Sequence, residues 1–160
     1  MKHLALIQSE FLKLAQDDDM SGTVHEEREA RLTLTELPEE VMNKKSTLIK
    51  QGVLREVRDD NDKMISYARI RMKQEPNEEP IYSLGVKNFP LHQEAETEIS
   101  KEMFDSFFPD NLLKPQVKHR YKTDDGWEID QVDTDGGIYA EYEHDKGDKV
   151  KVPSHWKIKR

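Results

Sequence analysis

The chain has 160 residues, with 33 Asp and Glu against 25 Lys and Arg and a formal net charge of -8. That length is enough for one domain with its own core. There is no cysteine, so disulfides, thiolate metal sites and cysteine nucleophiles are excluded. No apolar run reaches the roughly 18 residues of a membrane-spanning helix. The acidic balance argues against duplex DNA as a partner. The absence of a charged-then-apolar leader pattern sets a cytoplasmic location as the expectation.

In chain order, Leu4, Ile7, Phe11 and Leu14 share one helical face, which predicts a helix over 3–16. Asp17, Asp18 and Asp19 oppose the dipole at its end. Residues 1–22 are therefore expected as a helix and acidic link, and 23–160 as the main domain. From Val24 the period changes to two, and a single strand is expected through Leu34, with Glu27, Glu29 and Arg31 on its polar face. Pro38 followed by two glutamates opens a short helix reaching about Lys44. Strand patterns follow at 52–58, 65–73, 81–87 and 93–99, and Ser100 caps a helix over 101–108. Three further strands fit 116–123, 126–132 and 137–144, joined by Asp124-Asp125-Gly126 and Asp135-Gly136-Gly137 turns. Lys149 and Lys151 alternate like a last strand or a solvated hairpin. About eight short strands predict a mainly antiparallel β (α+β) fold, a sheet closed or nearly closed into a barrel with a few short peripheral helices.

The charges are sorted by strand. Arg69 and Arg71 share a face with Tyr67 and Lys73; Glu94, Glu96 and Glu98 share another. Lys118, Arg120 and Lys122 form a third, with Glu128 and Asp130, then Glu141 and Glu143, on the strands that follow; Lys87 ends its strand alone. A sheet with one wet and one buried face shows the same alternation. Segregation of sign is unlike a mixed solubility surface, however. If these faces turn inward, clustered carboxylates offer hard oxygen ligands for Mg²⁺ or Mn²⁺, and the cations suit a linear polyphosphate. Trp127 and Trp156 read as packing residues, and Phe104, Phe107 and Phe108 as the anchor of the short helix. His119 reads as an outward histidine, while Tyr67 and Tyr139 either line the charged side or stiffen it.

The ordered set Glu27-Arg28-Glu29-Ala30-Arg31, Ile49-Lys50-Gln51-Gly52-Val53-Leu54, Ala68-Arg69-Ile70-Arg71, Leu84-Gly85-Val86-Lys87, Glu94-Ala95-Glu96-Thr97-Glu98-Ile99, Lys118-His119-Arg120-Tyr121, Trp127-Glu128-Ile129-Asp130 and Gly137 to Glu143 resembles the triphosphate tunnel metalloenzymes, in particular their CYTH branch. The resemblance implies an eight-stranded closed β-barrel tunnel. It implies metal-dependent hydrolysis of a triphosphate, inorganic or nucleoside, with Mg²⁺ or Mn²⁺ as cofactor. Arg31, Arg69, Arg71, Lys87, Lys118 and Arg120 would bind phosphate, and Glu27, Glu29, Asp130, Glu141 and Glu143 would hold metal. Glu96, Glu98 and Glu128 would orient the cations or place the attacking water. Arg31 stands where the family usually has Lys. A phosphorylated-ligand or partner-protein binding module on the same fold is the rival reading, with a class IV adenylyl cyclase or RNA 5'-triphosphatase behind it. The apolar face of the N-terminal helix around Phe11 either covers one tunnel mouth or mediates a homodimer, and a protein partner at the exposed end of the tunnel is the further expectation.

Overall fold

The computed structural model of the chain describes residues 23–26, 29–145 and 148–160. The helix expected over 3–16, its acidic link and Glu27 lie outside the described residues. Among the described residues, nine strands and one α-helix follow in order: β1 (Thr23–Glu26), β2 (Glu29–Leu34), β3 (Thr47–Arg58), β4 (Met64–Gln74), β5 (Ile81–Asn88), β6 (Gln93–Glu98), α1 (Lys101–Phe107), β7 (Leu113–Lys122), β8 (Glu128–Val132) and β9 (Ile138–Glu143). A 3₁₀ turn at Glu39–Val41 stands where a short helix was expected, with Pro38 ahead of it.

The strands form one sheet in the order β1-β6-β5-β4-β3-β7-β8-β9-β2. This corrects two expectations. The stretch from Val24 to Leu34 is two strands, because β1 pairs with β6 while β2 pairs with β9. The order is also linear, with β1 and β2 at its two ends, and no ladder joins them among the described residues. The antiparallel β class holds; a closed eight-stranded barrel is not what these pairings make. Two compact units divide the described chain. The first comprises 23–26, 50–72 and 81–115, and the second 29–49, 73–80 and 116–160.

In the first unit, β6 lies antiparallel between β1 and β5, with Lys87 opposite Glu94 and Gly85 opposite Glu96. Strand alternation sends Ala68, Ile70 and Met72 of β4 into the core, where Val86 and Ala95 are also buried. Tyr67, Arg69 and Arg71 fall on the opposite face. Ser100 caps α1 by accepting a hydrogen bond from the Met103 amide at 3.1 Å, which supplies an acceptor to one of the orphan donors of the first turn. Phe104 seats the helix, buried against Tyr82 and stacked on Phe108 at 5.2 Å.

In the second unit, β2, β9, β8 and β7 form an antiparallel run. Its apolar face buries Leu34, Val41, Trp127, Ile129, Ala140 and Trp156 in one cluster. Trp127 and Trp156 meet edge to face at 5.0 Å, an arrangement worth about 0.5–1.5 kcal/mol beyond area burial. The Trp156 indole N–H donates to Glu40 at 2.7 Å, and His155 reaches the same carboxylate at 3.0 Å. Backbone bonds from Thr35 to Lys157 and from Lys159 to Thr33 hold the last residues along β2. Lys149 and Lys151 lie in no strand. The single ladder contact near the C-terminus is an isolated bridge from Leu34 to Ile158.

Candidate functional site

The charged face of the second unit is built by register. Glu29 lies opposite Glu143, Arg31 opposite Glu141, Glu128 opposite Glu141, and Arg120 opposite Asp130. Period-two alternation puts all of them on the side away from Ile129 and Ala140. Asp130 and Lys118 are nonetheless buried, at 3% and 6% exposure, which is unusual for charged groups and requires partners. The partners are present. Lys118 Nζ reaches Asp130 Oδ2 at 2.6 Å, and Arg120 donates from Nε to Oδ1 at 2.7 Å and from Nη2 to Oδ2 at 2.8 Å. Glu128 takes the third corner of Arg120, at 2.5 Å from Nη1.

Burial opposes ionisation of Asp130, but the hydrogen bonds and charge of Arg120, joined by Lys118, overcome it and hold the carboxyl below its ordinary range. Arg120 is held firmly protonated by the same contacts against its own burial. Glu141 shows the reverse. Burial first, then the charges of Glu29 and Asp130, push its carboxyl up, with Lys118 and Arg120 compensating only in part. Arg31 stands 3.6 Å from Glu141, with its side chain 62% exposed, and lies 4.9 Å over the Tyr139 ring.

Carboxylates therefore outnumber cations here: Glu29, Glu128, Asp130, Glu141 and Glu143 against Arg31, Lys118 and Arg120. Lys122, exposed at the end of the same face opposite Glu128, adds a fourth cation and still leaves the carboxylates in excess. Like charges placed directly opposite, as Glu29 and Glu143 are, destabilise a sheet. The surplus is all hard oxygen, the donor chemistry that Mg²⁺ and Mn²⁺ take. Among the described residues, no group of three or more His, Asp or Glu side chains converges to hold a metal ion. The donor type fits a divalent ion, and the side chains as placed do not yet enclose one.

The first unit carries the other expected cations. Arg69 Nη2 bonds Glu94 at 2.9 Å, with both side chains 13% exposed. Arg71 Nε donates to Gln51 Oε1 at 2.9 Å. Lys87 Nζ lies 5.5 Å from the Phe89 ring centroid. Glu96 is half-buried and Glu98 exposed. Glu94, placed from sequence on a charged face with Glu96 and Glu98, and Gln51 hold the two arginines, a role the sequence reading gave to neither. Both sit inside motifs noted from the sequence. His119 faces outward as expected, 3.3 Å from Ser46 Oγ and 3.2 Å from Asp133.

No family model matches the chain, and no curated protein does. Solved structures do. One is titled the crystal structure of the hypothetical protein NE1496, with 18% identity over 82% of this chain and 87% of that one and a TM-score of 0.50. A second is titled the crystal structure of the inorganic triphosphatase NE1496, with 17% identity, 83% and 85% coverage and a TM-score of 0.49. A third is the PH1819 protein from Pyrococcus horikoshii OT3, with 17% identity, 76% and 80% coverage and a TM-score of 0.45. At such identity the likeness to NE1496 is one of fold. No helix among the described residues is long and apolar enough to cross a membrane.

Proposed function

We propose that the chain is a divalent-metal-dependent triphosphate hydrolase. The observation that carries this reading is the pair of cations Lys118 and Arg120, gripped by Asp130 beside Glu141, whose carboxyl is pushed up by burial and by the neighbouring charges of Glu29 and Asp130. The protein sharing this fold is named an inorganic triphosphatase in one of its structures, which accords with the reading. Glu29, Glu141 and Glu143 would hold the ion, with Glu27 assigned by the sequence motif. A bound divalent ion supplies charge neutralisation at the phosphoryl oxygens and lowers the pKa of water.

The chain's own residues do the rest. Lys118 and Arg120 hold phosphoryl oxygens and stabilise charge that grows on the bridging oxygen as its bond to phosphorus breaks. Asp130, whose oxygens are both engaged by cations, is reassigned from metal ligand to positioning residue, and Glu128 acts likewise on Arg120. On the first unit, Arg69, Arg71 and Lys87 keep the phosphate-binding assignment that the sequence motifs imply, Glu94 and Gln51 fix the two arginines, and Glu96 and Glu98 keep theirs of orienting cations or water. Arg31 keeps the charge of the family's lysine but offers a planar fork.

The rival binding-module reading draws on the carboxylates that do not converge. One assay separates them. Incubate the protein with inorganic triphosphate, ATP and other nucleoside triphosphates, with Mg²⁺, Mn²⁺ or chelator, and follow phosphate release and cyclic product. Phosphate release that needs metal and falls at least about 100-fold in Glu141→Gln/Glu143→Gln is expected. Tight binding without turnover in either metal overturns the proposal, and pyrophosphate with a cyclic nucleotide replaces it with a cyclase.

A further inference from the structure

Tyr139 stands on the charged face of the second unit with no part in the chemistry above. It precedes Glu141 by two residues on β9, so both side chains leave the sheet on one side. Register sets Arg31 opposite Glu141 and Thr33 opposite Tyr139, which makes Arg31 and Tyr139 diagonal neighbours within reach of a long side chain. The Arg31 guanidinium accordingly lies 4.9 Å over the Tyr139 ring, with Nε 3.6 Å from Glu141. The ring is itself held. Its hydroxyl donates to Asp135 Oδ2 at 2.9 Å, and the other oxygen of Asp135 accepts the Gly137 amide at 2.6 Å. Gly137 leaves the room: a Cβ there would stand 2.6 Å from Tyr139 Cζ and 2.7 Å from Cε2. Gly136, at φ 73°, takes the left-handed position of this turn, so the side chain missing at 137 serves the ring and not the backbone.

Resting on the triphosphatase reading, we infer that Tyr139 is the positioning residue for Arg31 and aims its guanidinium at a phosphate of the substrate. Arg31 needs such support. Its side chain is 62% exposed, and 3.6 Å to Glu141 is longer than a hydrogen bond. Glu141 therefore attracts the guanidinium without fixing its plane. An unsupported arginine also loses rotamer freedom when it grips an anion, which opposes binding. A ring beneath the guanidinium restrains it before the anion arrives. The contact engages the face of the cation, and the in-plane N–H donors stay available to phosphate oxygens. Asp135 fixes Tyr139, Tyr139 fixes Arg31, and Arg31 meets the phosphate.

The test is a double-mutant cycle, read by calorimetric titration with Mg²⁺ and the bis-methylene analogue of inorganic triphosphate, in which CH₂ replaces both bridging oxygens. Tyr139→Leu is expected to raise Kd about fivefold. Tyr139→Phe, which keeps the ring and gives up the Asp135 bond, should raise it about twofold. Gly137→Ala crowds the ring while leaving Arg31 and Tyr139 in the chain, and should act like Tyr139→Leu. In an Arg31→Ala background, Tyr139→Leu and Gly137→Ala are expected to leave Kd unchanged, which a ring that merely stiffens the sheet would not do. Where Tyr139→Leu does not fold, Tyr139→Phe closes the same cycle at its smaller amplitude. An equal rise in Kd with and without Arg31, no rise in its presence, or no binding by the wild-type protein overturns the inference. Phosphate release from inorganic triphosphate is followed alongside. Coupled binding without turnover refutes the hydrolase and keeps the positioning role. Metal-dependent turnover without coupling refutes the positioning role and keeps the hydrolase.

Discussion

Replacing Asp130 with Asn keeps shape and removes the charge that Lys118 and Arg120 share. Lys118 is buried, and its ammonium reaches Asp130 at 2.6 Å. Removing one partner of a buried pair costs about 3–5 kcal/mol, because the other charge is left uncompensated. Arg120 keeps Glu128, which places the expected loss near the lower end, about 3 kcal/mol. For a chain of this size that lowers Tm by about 6–12 °C. The acid limb gives an independent check. The folded carboxyl of Asp130 lies below its ordinary value of 3.8, so it contributes stability in full above that value and loses it as pH falls through the folded pKa. Asp130→Asn must therefore lose stability at pH 7 and show a shallower decline from there into acid. Urea unfolding across pH measures both, and Lys118→Met/Asp130→Asn should recover part of the loss, since the ammonium left uncompensated is removed with its partner. A change below about 1 kcal/mol at pH 7 for Asp130→Asn, with an unaltered acid limb, refutes the claim that this cluster is buried and mutually dependent.

Glu40→Gln weakens the clasp on Trp156 and His155; it should cost about 1–2 kcal/mol and release protection of the Trp156 indole in hydrogen exchange, while a fully retained protection would contradict the assignment. Gly52→Ala puts a Cβ 2.7 Å from Leu112 Cβ and Cδ1; thermal unfolding should report a loss of about 1–3 kcal/mol, and Gly52→Ala/Leu112→Ala should regain part of the steric component.

The faces of individual strands were readable from sequence because alternation is a local property. Ala68, Ile70 and Met72 were placed opposite Arg69 and Arg71, and they are buried where those are not. The Ser100 cap and the Trp127 and Trp156 packing were legible for the same reason: each depends on neighbours in sequence or on bulk and apolarity. Partnership was not. Nothing between Val24 and Leu34 announces that one half pairs with β6 and the other with β9, since the alternating pattern is compatible with either. The start of β3 at Thr47 was missed because Gly52 reads as a boundary, whereas it sits mid-strand under Leu112. Within the candidate site, the grouping of Lys118, Arg120, Glu128 and Asp130 followed from face and order. The roles did not. Both oxygens of Asp130 go to cations, and Glu94 rather than Glu96 or Glu98 reaches Arg69; such choices depend on register, which the pattern of charges alone leaves open.

The first two strands, adjacent in the chain, occupy opposite ends of the strand order and depend on late partners: β2 has no ladder until Ile138–Glu143 exists, and β1 waits for Gln93–Glu98. On a ribosome, that leaves β2 with exposed backbone donors and acceptors until nearly all the described chain has been synthesised. Pairings of such high sequence separation place the fold among slow folders and make the nascent chain a natural client for a holding chaperone.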